Sequence, residues 1–498
     1  MEKEKGEDLS RSIRNLLMEG IASQIMFSLI TVPVISLYLV SINADPSIIG
    51  LVAAIPFISQ LVQIPSAMFA ERFSRKKISI MANFVSRISL LLLGILLYID
   101  GHSTIAPFVI LFAIYNIFKE VSIIAWNSWM RDLIPMRNRG ELYSRRIAYG
   151  KLAGSMVILI FALIFNVFGS DAFPLIFLVA FIAGMLSLLF MKRIEDVEVE
   201  YRGRRDLKKP LKDSNFLKLT ASFSLWKLAS EMSLPFYSVY IIAVLNYPLW
   251  AVIVLTTISH LSSTYFLRIS GRIMDRFGNK PVMILSFISF SMAVFIFTFT
   301  TMPEKHPLTP LLLLVIYILD GFYTSIPIVT SMNMIAKITA KGSSASYYAV
   351  YNVIASSFAA LGSISGGCIA SAALSANFAV KVDIESSIGF VEIPAIHLAG
   401  YDFLFVISAV LSLIAAKLLR FFKEEGESSE DVVKEEIKHA VFHDVQTIMA
   451  HMHIHPRWFV KYHAPYTPHT LQVQTNFNNL GHPVQSGKNL EENIQKLT

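Results

Sequence analysis

The chain has 498 residues, of which 54% are hydrophobic and only 16% are charged, so it is far more apolar than an ordinary water-soluble domain. The formal net charge of +7 does not indicate nucleic-acid binding, because the basic residues lie in alternate loops between apolar stretches. The single cysteine, Cys368, excludes an intramolecular disulfide and a metal site built on several cysteines. The composition therefore predicts a protein that uses lipid as its solvent.

The apolar residues gather in stretches of about 20 residues, the length that crosses a bilayer core as a helix. Residues 1–14, before the first stretch, are rich in charge, and the apolar run after them is too long for a signal-peptide core. We therefore expect the N-terminus to be retained in the cytoplasm. In chain order we predict twelve spans, at 18–42, 47–69, 78–99, 105–129, 143–168, 173–192, 216–244, 249–270, 281–300, 309–336, 345–374 and 400–421.

Basic residues mark alternate loops between the predicted spans. The loops between spans 2 and 3, 4 and 5, and 6 and 7 contain clusters of arginine and lysine, and the loop between spans 8 and 9 contains Arg272, Arg276 and Lys280. The opposite loops mostly contain acids, such as Asp45 and Asp171. Because loops rich in Lys and Arg stay cytoplasmic, we predict a multi-pass protein of the cytoplasmic membrane with both termini inside.

The sequence repeats itself at an interval of about 200 residues. Three residues of span 1 recur 202 residues later in span 7, as the pairs Pro33 and Pro235, Ser36 and Ser238, and Tyr38 and Tyr240. A repeat that relates one set of six spans to another predicts two duplicated halves.

Two basic loops also correspond, at an interval of 204 residues. They read Ala67-Met-Phe-Ala-Glu71-Arg72-Phe-Ser74-Arg75-Lys76-Lys77 and Gly271-Arg-Ile-Met-Asp275-Arg276-Phe-Gly278-Asn279-Lys280-Pro281. The second loop resembles the Gly-x-x-x-Asp-Arg-x-Gly-Arg-Lys signature that major facilitator superfamily transporters carry between helices 2 and 3 and between helices 8 and 9. The first loop departs from the signature at Ala67, Glu71 and Ser74. A further pattern after span 4, Asp132-Leu-Ile-Pro135 followed by Arg139-Gly140, is also similar to the family.

This resemblance covers about residues 15–422 and implies an all-α integral membrane protein with twelve transmembrane helices in two pseudo-symmetric six-helix bundles. It implies a secondary transporter, or permease, that moves a small solute by alternating access, and neither an enzyme nor a cofactor-dependent protein. The sequence contains no Gly-x-x-x-x-Gly-Lys-Ser/Thr loop and no His-Glu-x-x-His motif, in agreement. The expected parts are an N-terminus at 1–14, bundles at 15–192 and 216–422, a cytoplasmic linker at 193–215 and a cytoplasmic His-rich tail at 423–498.

The resemblance also implies a gate at the cytoplasmic side. The acid of each basic loop would meet the start of a helix in the other half, where free backbone amides favour negative charge. Span 11 would receive the first acid, and span 5, with its two arginines, would receive the second. Alternatively, these charges only orient the helices during insertion. The predicted gate consists of Glu71, Arg72, Arg75, Asp275, Arg276, Arg145 and Arg146.

Polar residues inside the spans predict the transport cavity, because a charge in the bilayer interior needs a cavity or a partner. Four polar residues of span 4 have the i, i+3, i+4 and i+11 spacing of one helix face, and the 204-residue interval maps all four onto polar residues of span 10, the last of them Ser331. Span 7 adds a lysine and a glutamate four residues apart. In the family, spans 1, 4, 7 and 10 line the cavity. The predicted set is Asn116, Lys119, Glu120, Asn127, Lys227, Glu231, Asp320, Tyr323 and Thr324.

These residues admit two interpretations. Glu120 or Asp320 would exchange a proton between the two sides of the membrane and so couple a proton gradient to solute movement. Alternatively, Lys227 with Glu231, and Lys119 with a nearby acid, form ion pairs that only fix helix packing. Uniport, exchange and sodium coupling also stay open. The expected partners are a small-molecule solute, the lipid bilayer and protons.

The tail contains eight of the twelve histidines of the chain. His451, His453 and His455 would supply nitrogen ligands to a divalent metal, although no carboxylate or thiolate set of recognised spacing surrounds them. A disordered or regulatory tail is the alternative. Apolar residues at four-residue steps from Val433 to Met449 predict an amphipathic helix that needs a partner surface. The rival function is a transporter-fold membrane receptor or sensor that signals through this tail.

Overall fold

The computed structural model describes residues 2–63, 66, 74–98, 104–134, 136–196, 208–301, 307–339, 344–386, 389–424 and five positions between 432 and 438. Several predicted residues lie outside this part of the chain. They are Glu71, Arg72, His451, His453 and His455, together with the side chain of Asp275 and most of the predicted tail helix.

The described chain is almost entirely helical. The first half contains α1 (Glu2–Leu29), α2 (Val32–Ser41), α3 (Pro46–Gln60), α4 (Arg75–Leu96), α5 (Ile105–Leu133), α6 (Met136–Phe168) and α7 (Phe173–Lys192). The second half contains α8 (Ser214–Ala243), α9 (Leu249–Phe277), α10 (Asn279–Thr298), α11 (Thr309–Ile338), α12 (Ser344–Ala373) and α13 (Tyr401–Leu419). Between α12 and α13 lie two strands, β1 (Asn377–Ser386) and β2 (Gly389–Ala399).

The first predicted span is two helices rather than one. The helix stops after Leu29, and α2 starts with Thr31 as its N-cap and Pro33 in its first turn. Proline has no N–H to donate, and its ring clashes with the carbonyl four residues earlier, so a continuous helix through Leu29 and Pro33 is broken. The sequence repeat included Pro33 but did not indicate this break.

Nine described segments are long and apolar enough to cross a membrane. One of them, Arg145–Lys192, contains both α6 and α7, and the short apolar segment Pro46–Gln60 forms part of predicted span 2. The helix α8 is too polar to belong to the nine, because Lys227 and Glu231 lie in its middle. Counting these three additional helices gives the twelve that the sequence predicts.

A β-hairpin between α12 and α13 was not predicted. The strands β1 and β2 pair antiparallel from Asn377 opposite Ala399 to Ser386 opposite Gly389. The register shifts between Val380 and Lys381, where Lys381 pairs with Pro394. Because proline cannot donate to a ladder, an irregularity at this point of the hairpin is expected.

The helix pairing of the first half is repeated in the second. In the first half α1 packs against α6 and α7, α4 packs against α5 and α7, and α3 packs against α5. In the second half the corresponding pairs are α8 with α12 and α13, α10 with α11 and α13, and α9 with α11. Equivalent helices of the two halves therefore pack in the same way, as the sequence repeat predicts.

The two halves meet along α3 and α12, along α6 and α9, and between α2 and α8. A Cβ atom added to Gly50 of α3 would overlap the carbonyl oxygen of Ser363 and would lie 2.7 Å from Gly367 Cα of α12. Nearby, the Ser371 hydroxyl donates to Asp45 Oδ2 at 3.1 Å. We call this end of the bundle, which carries Asp45 and the hairpin, the hairpin end. Its closure depends on close backbone packing between the halves.

Replacing Gly50 by Ala is expected to separate the halves at the hairpin end. The new methyl group meets backbone atoms of Ser363 and Gly367, which cannot rotate away, and overpacking of this kind costs about 1–3 kcal/mol. The distance between spin labels at positions 43 and 246, in a Cys368→Ser background, should increase.

The matched control for this substitution is Gly94→Ala. Its methyl group would lie 3.2 Å from Phe177 Cβ, a side-chain atom within the first half. This control should leave the label distance unchanged. An unchanged distance in Gly50→Ala as well would contradict the packing argument.

The described part of the tail docks on the second half. Val433 is fully buried and Ile437 is partly buried in a cluster that includes Ile273 of α9, Val282 of α10 and Ile326 of α11. Residues 432, 433, 435, 437 and 438 are helical. At its start, the predicted amphipathic helix therefore finds its partner surface on its own chain.

Candidate transport site

The polar residues of α5 form one charged cluster. Lys119 Nζ lies 3.0 Å from Asn116 Oδ1 and 3.3 Å from Glu120 Oε1. The other carboxylate oxygen of Glu120 accepts a hydrogen bond from Gln63 Nε2 at 2.8 Å. Both Asn116 and Glu120 are buried, whereas Asn127, two turns further on, is exposed. The structure therefore brings together three of the four predicted residues and neutralises the charge of Glu120.

The charged residues of α8 form a second pair. Lys227 Nζ lies 3.0 Å from Glu231 Oε1. The same ammonium group lies 5.6 Å from the ring of Phe57, which belongs to α3 in the first half, and 5.6 Å from the ring of Trp226. Such cation–π contacts are favourable when the cation is partly desolvated. This pair therefore also contacts the other half.

The carboxylate of Asp320 on α11 is arranged differently. Its Oδ2 accepts a hydrogen bond from Ser259 Oγ of α9 at 2.5 Å. Its Oδ1 is buried and has no hydrogen-bond partner among the described residues. Tyr323, one turn away, donates to the hydroxyl of Tyr237 at 3.2 Å, and Thr324 Oγ1 donates to the carbonyl oxygen of Asp320. No described lysine or arginine forms an ion pair with Asp320.

One face of α3 and the turn after it connects these clusters. Phe57 contacts Lys227, Gln60 Oε1 accepts a hydrogen bond from Ser356 Oγ of α12 at 2.5 Å, and Gln63 donates to Glu120. The three residues are spaced three apart, so they share a helix face. Sequence reasoning missed this face, although two glutamines inside an apolar span were the available signal.

A buried ion pair between Glu19 of α1 and Arg146 of α6 was also not predicted. Arg146 Nη2 lies 2.8 Å from Glu19 Oε2, and the guanidinium group lies 4.6 Å from the centre of the Trp126 ring. The Ser187 hydroxyl donates to Glu19 Oε1 at 3.3 Å. Among the described side chains, the partner of Arg146 is thus an acid of its own half, and the side chain of Asp275, which the family resemblance places near this helix, lies outside them.

The chain after α13 turns back onto the start of α10. The carboxylate of Glu424 accepts hydrogen bonds from the backbone N–H of Asn279 at 2.9 Å and of Lys280 at 2.7 Å. Asn279 Nδ2 donates at 2.8 Å, and Lys337 Nζ forms an ion pair at 2.6 Å. Burial by itself opposes ionisation, but hydrogen bonds from Asn279, Lys337 and the backbone outweigh it and lower the pKa of Glu424.

A family model described as Major Facilitator Superfamily matches the chain in two overlapping segments, residues 18–363 and 256–468. The chain belongs to the major facilitator superfamily. As a member of this family it is a multi-pass membrane protein and a secondary transporter rather than an enzyme. No curated protein sequence matches the chain.

Solved transporters have the same fold at low sequence identity. A mutant form of the nucleoside transporter NupG is 14% identical, with a TM-score of 0.65, and the match covers 83% of this chain and 100% of that one. A D-xylose-proton symporter is 15% identical, with a TM-score of 0.60 over 84% and 99% of the two chains. A bacterial homolog of the human lysosomal transporter Spinster is 14% identical, with a TM-score of 0.59 over 83% and 96%. The family and fold predicted from the repeated loops are therefore confirmed.

The gate is described only in part. Arg75 is buried at the start of α4, Arg145 and Arg276 are exposed, and the Arg276 guanidinium group lies 5.6 Å from the Phe277 ring. The acids that would complete the gate lie outside the described side chains, so the gate stays a prediction. The described residues also contain no group of three or more His, Cys, Asp or Glu placed to hold a metal.

Replacing Arg146 by Met is expected to lower the free energy of unfolding by about 3–5 kcal/mol, because it leaves the buried carboxylate of Glu19 without its cation. Denaturant titration of the purified protein measures this loss. The control is Glu435→Gln, in an exposed pair with Lys438, which should change nothing measurable. Equal effects of the two substitutions would contradict a stabilising role for the buried pair.

Proposed function

We propose that the chain is a proton-coupled secondary transporter that moves a small organic solute across the cytoplasmic membrane by alternating access, with both termini in the cytoplasm and Asp320 as the proton carrier. The observation that supports this assignment is a difference between three carboxylates. Glu120 and Glu231 each have a lysine at ion-pair distance, whereas Asp320 has a serine hydroxyl and a buried oxygen without a described partner.

Protonation removes the main energetic penalty at Asp320. A carboxylate buried without a counter-ion costs several kcal/mol, whereas its neutral acid costs much less. When the site opens to water, hydration lowers the free-energy cost of the charged carboxylate, and the proton can leave. A group whose charge depends on exposure in this way couples proton release to the conformational change.

The comparisons and the packing support the proposal in two further ways. The D-xylose-proton symporter and the nucleoside transporter NupG have this fold, and by their names they move small organic solutes, one of them with protons. The contacts between the halves, such as those of α3 with α12, belong to single helix pairs that can separate without unfolding either half. The basic loops supply the orientation.

The protonation of Asp320 can be tested without knowing the solute. Infrared difference spectra of the purified protein between neutral and mildly acidic pH should contain the band of a carboxyl group that takes up a proton, and Asp320→Asn should remove it. The matched substitution Glu120→Gln should leave the band in place, because Glu120 has Lys119 at ion-pair distance. Loss of the band in Glu120→Gln, or its persistence in Asp320→Asn, would assign the proton to another group.

A further inference from the structure

A cleft lies between the two halves, on the hairpin-end side of the charged clusters. Its walls come from α1, α2, α6 and α7 of the first half and from α9 of the second, so both halves contribute. The lining is mainly apolar and aromatic, including Leu37, Ile158, Phe161, Phe165 and Val252. A cleft with these walls accepts an apolar group and offers little to a molecule rich in hydroxyls.

The opposite end of the cleft is polar. His260 lines the cleft eight residues along α9 from Val252, about 12 Å away at the helical rise of 1.5 Å per residue. Lys151 of α6 is exposed and lies seven residues before Ile158, so it shares the face of α6 that lines the cleft, about 10 Å further along the helix. No described acid forms an ion pair with Lys151, which is unusual for a lysine within a membrane span and indicates that it faces a cavity.

The residue next to His260 on α9 is Ser259, which donates to Asp320. One of these neighbouring positions of α9 therefore holds the proposed proton carrier, and the other lines the cleft. An anion at His260 would lie one residue along α9 from the serine that holds Asp320. Movement of an anion together with a proton transfers no net charge, which lowers the barrier to crossing the low-dielectric interior.

We propose that the transported solute is an amphiphilic organic anion, whose carboxylate binds at Lys151 and His260 and whose apolar body fills the cleft. This inference rests on the proposed transport function and adds its substrate class. Lysine supplies the charge-assisted hydrogen bond to the carboxylate, and the apolar walls supply the hydrophobic part of the affinity. Neither feature alone selects such a solute, but the apolar walls and His260 belong to one cleft, and Lys151 lies on the face of α6 that lines it.

Calorimetric titration of the purified full chain in lipid nanodiscs tests the proposal with three probes. Phenylacetate has both the carboxylate and an apolar body, phenylacetamide lacks the charge, and acetate lacks the body. Phenylacetate should bind at least about tenfold more tightly than either of the other two, a difference of about 1.4 kcal/mol. Equal affinity of phenylacetate and phenylacetamide would contradict binding of the carboxylate at the cationic site. Equal affinity of phenylacetate and acetate would contradict binding of the apolar body in the cleft.

Two substitutions assign the binding to the two ends of the cleft. Lys151→Gln and Val252→Phe should each weaken phenylacetate binding about tenfold, the first by removing the charge and the second by filling the cleft. Lys218→Gln, which changes an exposed lysine near the start of α8, is the matched control and should have no effect. Unchanged binding in Lys151→Gln and Val252→Phe would overturn the assignment.

A lipid chain is the competing occupant of the cleft. Binding of phenylacetate in detergent that disappears in nanodiscs would identify a lipid and contradict the proposal. The outcomes also separate this inference from the proposed function. Phenylacetate entry without proton movement would support the substrate class and contradict the proton coupling. Proton-coupled transport of another solute, without phenylacetate binding, would support the proton coupling and contradict the substrate class.

Discussion

Asp320→Asn is expected to abolish accumulation of the solute driven by a pH gradient. Asparagine has nearly the shape of aspartic acid and can still accept the hydrogen bond from Ser259, but it cannot release a proton. With one proton per solute, a gradient of one pH unit corresponds to 1.36 kcal/mol and supports about tenfold accumulation by the unaltered protein. The substituted protein should only equalise the two concentrations. Uptake into proteoliposomes measures the difference.

Exchange of solute without a pH gradient should survive in Asp320→Asn, because exchange requires alternation of the loaded protein but no proton release. Glu120→Gln is the control, since Glu120 already has Lys119 and Gln63 as partners. It should lower the rate without changing the final accumulation ratio. If Asp320→Asn still accumulates solute, or if Glu120→Gln alone loses accumulation, another carboxyl group carries the proton.

Glu424→Ala is expected to produce the largest loss of stability at the end of the bundle opposite the hairpin. The substitution removes a side chain that is only 1% exposed and leaves the N–H groups of Asn279 and Lys280, together with the Lys337 ammonium group, without their acceptor. Breaking a buried ion pair with its hydrogen bonds costs about 3–5 kcal/mol. Denaturant titration of the purified protein measures the change.

Lys423→Ala is the neighbouring control. Lys423 is exposed, and its hydrogen bonds to Asn215 are made by backbone atoms, so loss of its side chain should have little effect. Equal stability of Glu424→Ala and Lys423→Ala would contradict the role of the carboxylate in holding α10 and α11 together.

The contribution of Glu424 also depends on pH in a defined direction. Because the pKa of Glu424 is lowered in the folded protein, its stabilisation is fully present above the pKa of the unfolded chain and is lost as the pH falls through the folded-state pKa. The stability difference between the unaltered protein and Glu424→Gln should therefore be constant near neutral pH and should shrink in acid. A difference that grows in acid would contradict this sign.

Helical periodicity allowed part of the site to be predicted. Asn116, Lys119 and Glu120 were placed on one face by their spacing, and the structure joins them in one cluster. The 204-residue repeat likewise pointed to Asp320. What the repeat could not indicate is that Glu120 has a lysine partner whereas Asp320 has none among the described residues, because a counter-ion depends on which neighbouring helix faces the group.

Other features depend on tertiary contacts that sequence spacing does not determine. The partner of Arg146 is Glu19, 127 residues away, and the partners of Glu424 come from the start of α10 and from the end of α11. The family resemblance suggested contacts with the other half for Arg146, and it suggested no contact for Glu424. The β-hairpin was missed although the 25 residues between the last two predicted spans are longer than an ordinary loop, which was the available signal.

The most direct test of the account is the movement of protons that accompanies solute entry into proteoliposomes containing the purified protein. Adding solute outside the vesicles, at equal pH on both sides, should make the external medium alkaline, with one proton taken up for each solute molecule, and Asp320→Asn should remove the alkalinisation. Solute entry at the normal rate without alkalinisation would contradict proton coupling through Asp320.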